Sequence, residues 1–203
     1  MTSMPALISL CSWRLLFPCC LLTVAALWLP PVSATNTAPG VQAPLQRGVV
    51  LLARARLPDP RFRDTVILLT HYDQHGAMGF IVNRPTPMRL SHVVPGLAKQ
   101  SLRRQVLHFG GPVGMDHVFV LVQSRRSHGM AHVSGEVYVG QGMQALRHIA
   151  ASLEEDEQVR AYAGYAGWGA GQLEAEVARG DWLALPAGSA DVFTREPGQL
   201  WRR

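Results

Sequence analysis

The stretch TVILLTHYDQHGAMGFIVN, Thr65 to Asn83, decides the fold class. Two β-rich runs, Thr65–Tyr72 and Ala77–Asn83, flank Asp73-Gln74-His75-Gly76, and that turn chemistry predicts a hairpin. Upstream, GVVLLARA (48–55) is an apolar run of strand length that PDPRFRD breaks. Downstream, Pro85 and Pro87 are expected to stop the second strand, and residues 88–104 to form a short helix and a basic loop. VLHFGG and DHVFVLVQS, around 106–111 and 116–124, read as a second strand pair across GGPVG. GMQALRHIAASLEED carries the strongest helical pattern. Met143, Leu146, Ile149, Ala150 and Leu153 share one face, with Glu154, Glu155, Asp156 and Glu157 as a solvated end. Gln158–Tyr165 is an expected strand, Gln172–Arg179 a short helix ended by Gly180, and Trp182–Leu185 a last strand. Strands that arrive in hairpins, with helices interspersed late, argue for α+β rather than a doubly wound parallel sheet.

The chain has 203 residues, 48% hydrophobic and 16% charged, which suits one globular domain with a real core. No internal repeat or linker is visible, so residues 48–203 are expected to form a single domain. The net charge of +5 is carried almost wholly by arginine. From Thr35 to Val133 there are twelve Arg/Lys against four Asp/Glu, and from Ser134 onward six against ten. That asymmetry admits an anionic partner, and intramolecular pairing explains it equally. Nucleic acid is not favoured, because no basic helix is present and the aromatics are not interleaved with the arginines.

Residues 1–34 have the parts of a secretory signal peptide: Arg14, the apolar run LLFPCCLLTVAALWL and a VSA ending at Ala34. Cleavage there predicts an exported, periplasmic protein without a stable membrane span; an anchor or a mis-assigned start, with a cytosolic protein, are the alternatives. Residues 35–47 read as a flexible leader. All three cysteines, Cys11, Cys19 and Cys20, lie in the first segment, so the body offers no disulfide, thiol nucleophile or cysteine metal site.

GYAGWGAGQLEAEVARGDW (164–182) puts four glycines ahead of a helical pattern, as phosphate-binding turns do. A P-loop needs Lys and Ser/Thr at the helix start, whereas Gly171 is followed by Gln172, Leu173 and Glu174. A dinucleotide fingerprint needs a third glycine where Glu174 stands. The stretch therefore reads as a packed strand-to-helix corner, with Trp168 over it. His71/His75 and His128/His132 are four apart, but neither pair lies in a helical pattern, so no metal site is expected. The body serines, Ser124, Ser127 and Ser152 among them, sit in no nucleophile motif. No catalytic constellation and no cofactor are expected.

Four blocks, DPRFRDTVILL, GAMGFIVNRP, FGGPVG and GYAGWGAGQLEAEVARGDWL, occur in this order. Together they resemble the YqgE/AlgH family of bacterial proteins, over Gly48 to about Trp201. The resemblance implies an α+β single domain whose bifurcated, mostly antiparallel sheet forms a pseudo-barrel with a few flanking helices. It brings a transcriptional-regulator label and no catalytic mechanism or cofactor. Many relatives have a cysteine where this chain has Thr70, so a thiol-based role does not transfer. The family-motif positions taken as candidate binding residues are Asn83, Arg84, Pro85, Gly110, Gly111, Pro112, Trp168, Gly169 and Gln172. The leading expectation is a non-enzymatic regulatory or binding protein that contacts a protein or small-molecule partner. The alternatives are a regulator contacting nucleic acid, if cytosolic, and an enzyme using Asn83, Arg84 and a histidine such as His71.

Overall fold

A computed structural model describes residues 42–97 and 99–202; the expected signal peptide lies outside them. The expected hairpin is present. β1 (Val49–Ala53) pairs antiparallel with β2 (Val66–Asp73), which pairs with β3 (Gly76–Ile81). At the turn, Asp73 Oδ1 accepts the His75 N–H at 2.8 Å, and Gly76 takes φ +143°, a value that favours glycine. The TVILL run is continuous rather than alternating because both faces of β2 are covered. Leu68 faces one apolar cluster with Val50 and Phe80, and Ile67 and Leu69 face another with Leu51 and Trp182.

The rest of the sheet is built around one long strand, β9 (Gln158–Gly169). Along its first half it pairs antiparallel with β6 (Val113–Gln123) and, on its other edge, parallel with β5 (Val106–Phe109). Its second half leaves β5 and pairs with β3, from Gly79↔Ala166 to Gly76↔Gly169. The sheet forks here. At the fork Gly164 has φ +67°, and a Cβ on it would lie 2.4 Å from the Gly111 carbonyl oxygen. The second strand pair expected across GGPVG is therefore corrected: β5 and β6 exist, but β9 runs between them and Tyr162 is the partner of both His108 and Phe119. A reading of neighbours along the chain misses an inserted strand that arrives fifty residues later.

Beyond β6 come β8 (Val137–Gln141) and β7 (Ala131–Ser134), a hairpin the sequence reading did not include. β10 (Trp182–Pro186) closes the other end against β1. The sheet curls strongly enough that a Cβ on Gly48, at the start of β1, would meet the Ser134 side chain of β7 at 2.5 Å. The fold is thus a half-barrel, antiparallel apart from β5–β9. The second strand of the hairpin ends at Ile81, before the prolines expected to stop it, but Pro85 and Pro87 are themselves extended. They lie in a short strand, β4 (Pro85–Arg89), that pairs only with β5 and with a register shift, an edge position where missing N–H groups are tolerated.

Helices pack against both faces of the sheet. α1 (Leu90–Val93) and α2 (Gln100–Arg104) are short, and α3 (Gly142–Ser152) lays Leu146, Ile149 and Ala150 against Val120 and Val122 of β6. α3 ends earlier than its acidic tail suggested, because Leu153 turns extended (φ −60°, ψ 130°) and returns to the core. α4 (Gln172–Ala178) and α5 (Ser189–Val192) complete the set. Of the expected leader 35–47, the described part lies on the sheet: Ala43 N–H donates to the Ala184 carbonyl at 2.8 Å, and Leu45 packs against the cluster holding Trp182. Among the described residues no helix is long and apolar enough to cross a membrane.

Candidate functional site

The motif blocks, far apart in sequence, meet in one cleft of about 310 Å³. Pro58, Asp59, Arg61 and Phe62 come from the turn after β1, Pro112 and Val113 from the β5–β6 crossing, and Gly167, Trp168, Gln172 and Glu176 from β9 and α4. Trp182, at the start of β10, completes the floor. The three aromatic rings stand edge to face, Phe62–Trp182 at 5.8 Å and Trp168–Trp182 at 5.9 Å between centroids. Glu176 organises them. Its Oε2 accepts both indole N–H groups, from Trp168 and from Trp182, each at 2.8 Å, and its Oε1 accepts the Gln172 amide at 3.0 Å.

On the rim the charges are paired. Arg61 forks onto Asp59, with Nη2 to Oδ2 at 2.7 Å, and that guanidinium holds the Asp59 carboxyl below the usual carboxylate range. Arg179 pairs with the buried Asp181 at 2.7 Å. The glycine corner belongs to this arrangement. Gly171 is left-handed at φ +72° as the residue before α4, and Gly169 N–H donates to the Gln172 side chain at 3.1 Å. Glu174, in the first turn of α4, accepts the Tyr72 hydroxyl at 2.7 Å and so ties the corner to β2.

Of the nine candidate residues, the cleft gathers Pro112, Trp168 and Gln172 on its lining, with Gly169 bonded to Gln172. The others stand elsewhere. Asn83 is buried, accepting the Val66 N–H at 2.9 Å and donating to the Asp64 carbonyl at 2.8 Å, so it secures the left-handed turn at Asp64. Arg84 donates to the carbonyls of Arg61 and Arg63 and clamps the turn that carries the cleft's Arg61 and Phe62. Gly110 and Gly111 allow the crossing over β9; a Cβ on Gly110 would lie 2.3 Å from the Gly164 carbonyl oxygen. Pro85 lies in β4, opposite His108.

One cluster was not legible in the sequence. Glu157, expected to be a solvated acid, has a side chain only 4% exposed. Its Oε1 accepts from Ser124 at 2.5 Å and lies 2.7 Å from His128 Nε2, and its Oε2 accepts the Glu154 N–H at 2.8 Å. Burial alone would raise this carboxyl, but those hydrogen bonds and the imidazole hold it down at about 2. The His–Glu and serine chemistry invites comparison with a hydrolytic triad, and the hydrogens oppose it. Ser124 Oγ lies 3.3 Å from His128 Nε2, but its nearer partner is the carboxylate, which also takes that same imidazole nitrogen at 2.7 Å, and Ser152 Oγ, 3.5 Å from His128 Nδ1, donates to the His148 carbonyl at 3.0 Å. The cluster braces the 124–130 loop, where His128 has φ +50°, against the turn after α3. Among the described residues no group of three or more His, Cys, Asp or Glu could hold a metal ion.

Fold and cleft together define a single-domain α+β protein with a forked, half-barrel sheet whose fork brings separate sequence blocks to one surface. The chain belongs to the AlgH-like family, whose model matches residues 50–203. It is 37% identical over 161 residues to a UPF0301 protein of Chlorobaculum tepidum, covering 78% of this chain and 84% of the relative. It is also 34% identical over 174 residues to a UPF0301 protein of Mycobacterium ulcerans, with 83% and 85% covered. Among solved structures it resembles the AlgH protein of Pseudomonas aeruginosa (TM-score 0.61, 33% identity), over 76% of this chain and 85% of that one. A Corynebacterium diphtheriae protein, DIP2367, shares the fold at TM-score 0.66 and 23% identity, over 79% of this chain and 86% of that one.

Proposed function

We propose that this protein is a non-enzymatic binding or regulatory protein, and that it takes hold of its partner in the cleft floored by Phe62, Trp168 and Trp182. The observation that carries the reading is the convergence of three sequence-distant motif blocks on one concave surface with every charged lining group already paired. A general acid, base or nucleophile needs a group free to exchange a proton or attack, and paired groups of this kind suit rigid recognition instead. The exposed Val113, 42% accessible on the cleft's edge, adds an apolar contact.

The test is site-specific photocrosslinking of the full chain in its own cells, with benzoylphenylalanine placed at Arg61 or Val113. Adducts are expected from both positions and not from Glu155, on the turn after α3. Adducts from Glu155 alone, or from none of the three, would remove the cleft as the binding surface. We further propose that the mature protein begins near Thr35 and acts outside the cytoplasm. N-terminal sequencing of the protein from the periplasmic fraction is expected to read Thr35 onward. An intact Met1 on cytosolic protein would overturn export and return nucleic acid to consideration as a partner.

A further inference from the structure

Away from the cleft, where β4, β5 and the start of β9 meet the C-terminal segment, lies an open hollow of about 500 Å³. Pro85, Val106, Val159 and Phe193 give it apolar walls, and Arg104, Arg160 and Arg195 give it charge. His108 and Tyr162 are paired across β5–β9, and Arg160, two residues before Tyr162, points to the same side of the sheet. Arg160 is committed to structure: it donates to the Val192 carbonyl at 2.7 Å and to that of Thr194, and lies over the Phe193 ring. It thereby fixes one wall. Arg104 and Arg195 are exposed, and among the described residues neither side chain has an ion-pair or hydrogen-bond partner. Glu157 also lines the hollow, but both its oxygens are taken by Ser124, His128 and the Glu154 N–H.

Among the described residues, two buried polar atoms here lack a well-formed hydrogen bond, His108 Nδ1 and the Tyr162 hydroxyl, with the Arg160 guanidinium near the phenol and the Val106 backbone near the imidazole. His108 is 6% exposed and Tyr162 fully buried. Native interiors leave few such groups unsatisfied, so a pair of them beside one arginine calls for a ligand or a held water. Burial and the nearby Arg160 charge push the His108 imidazole down to about 4, so at neutral pH it is an uncharged donor and acceptor.

We propose that this hollow binds a small organic oxyanion, a carboxylate or a phosphate ester on an apolar body. Arg104 and Arg195 grip the charge, since a guanidinium fork matches both oxyanions. The proline, valine and phenylalanine walls take the body, and the innermost oxygen, directly or through one water, meets His108 on the lining, with Tyr162 buried behind it. The hollow shares no lining residue with the motif cleft, so the two sites stand or fall separately.

The test uses the full chain with benzoate, phenyl phosphate and benzyl alcohol as probes, read by melting temperature and by isothermal titration. At least one of the two anions is expected to raise the melting temperature with concentration. Whether benzoate or phenyl phosphate binds more tightly separates a carboxylate from a phosphate ligand. Benzyl alcohol is expected to bind at least tenfold more weakly than benzoate. The double variant R104A/R195A, changed only at exposed positions, is expected to weaken anion binding at least tenfold without moving the unliganded melting temperature, while R125A, an exposed arginine outside both sites, leaves anion binding unchanged. Equal affinity for benzyl alcohol, anion binding that survives the double substitution, or no binding of either anion at millimolar concentration would overturn the proposal.

Discussion

The motif cleft and the His108 hollow are both lined by charged and aromatic side chains, yet they treat their buried polar groups in opposite ways. In the cleft one carboxylate, Glu176, satisfies two buried indoles and a glutamine, and each arginine has its own aspartate. At the hollow an imidazole nitrogen and the phenol buried behind it lack well-formed hydrogen bonds, and among the described residues two arginines have no carboxylate. The cleft is therefore a finished, rigid surface, while the hollow carries unspent hydrogen-bonding and charge. Dense sequence motifs mark the first kind of place. They record what the chain needs in order to fold around a fork, and they need not mark where a ligand's charge is met.

The comparison breaks most visibly at Glu176. Glu176→Ala is expected to lower stability by about 3 kcal/mol, because it strands two indole N–H groups that water does not reach easily. With a urea slope of about 2 kcal/mol/M, the midpoint should fall by about 1.5 M. Glu176→Gln keeps one acceptor oxygen and should lose about half as much. A midpoint unchanged by the alanine variant would mean that the indoles find other acceptors and that the cleft is not held by this carboxylate.

How much of this was legible follows from what local pattern can carry. The β2–β3 hairpin, the buried face of α3, the corner at Gly171 and the last strand all rest on residues close in sequence, and there period and turn chemistry suffice. The fork does not. β9 separates β5 from β6, and nothing in GGPVG distinguishes a hairpin turn from a crossing under Gly164. The same limit hid Glu157 inside an acidic run, since its burial depends on His128, twenty-nine residues away, and the run alone reads as solvent-facing. His108 was hidden in an apolar strand, where an imidazole is one more side chain. Its buried setting beside a positive charge is a property of Arg160 and Tyr162, fifty residues on. The motif blocks named the family and supply most of the cleft's lining, and three of the candidate residues drawn from them, Pro112, Trp168 and Gln172, stand on it.

A smaller effect sharpens the other side of the comparison. Burial and Arg160 keep the folded His108 neutral down to about pH 4, whereas in the unfolded chain it takes up a proton near its ordinary 6.5. The unfolded state thus binds more protons between those values, and stability must fall as pH drops through that window. From pH 7 to pH 5 this one group should account for a loss of about 2 kcal/mol. His108→Leu, which removes the titration and the unpartnered nitrogen together, should show a correspondingly flatter stability profile by urea denaturation at the two pH values. Glu157, held down at about 2, adds its own loss only below its ordinary range near 4.5, so the two groups are separable in pH. A His108→Leu profile as steep as that of the parent chain would mean that burial and Arg160 do not keep the folded imidazole neutral, and the contrast between the finished cleft and the unfinished hollow would go with it.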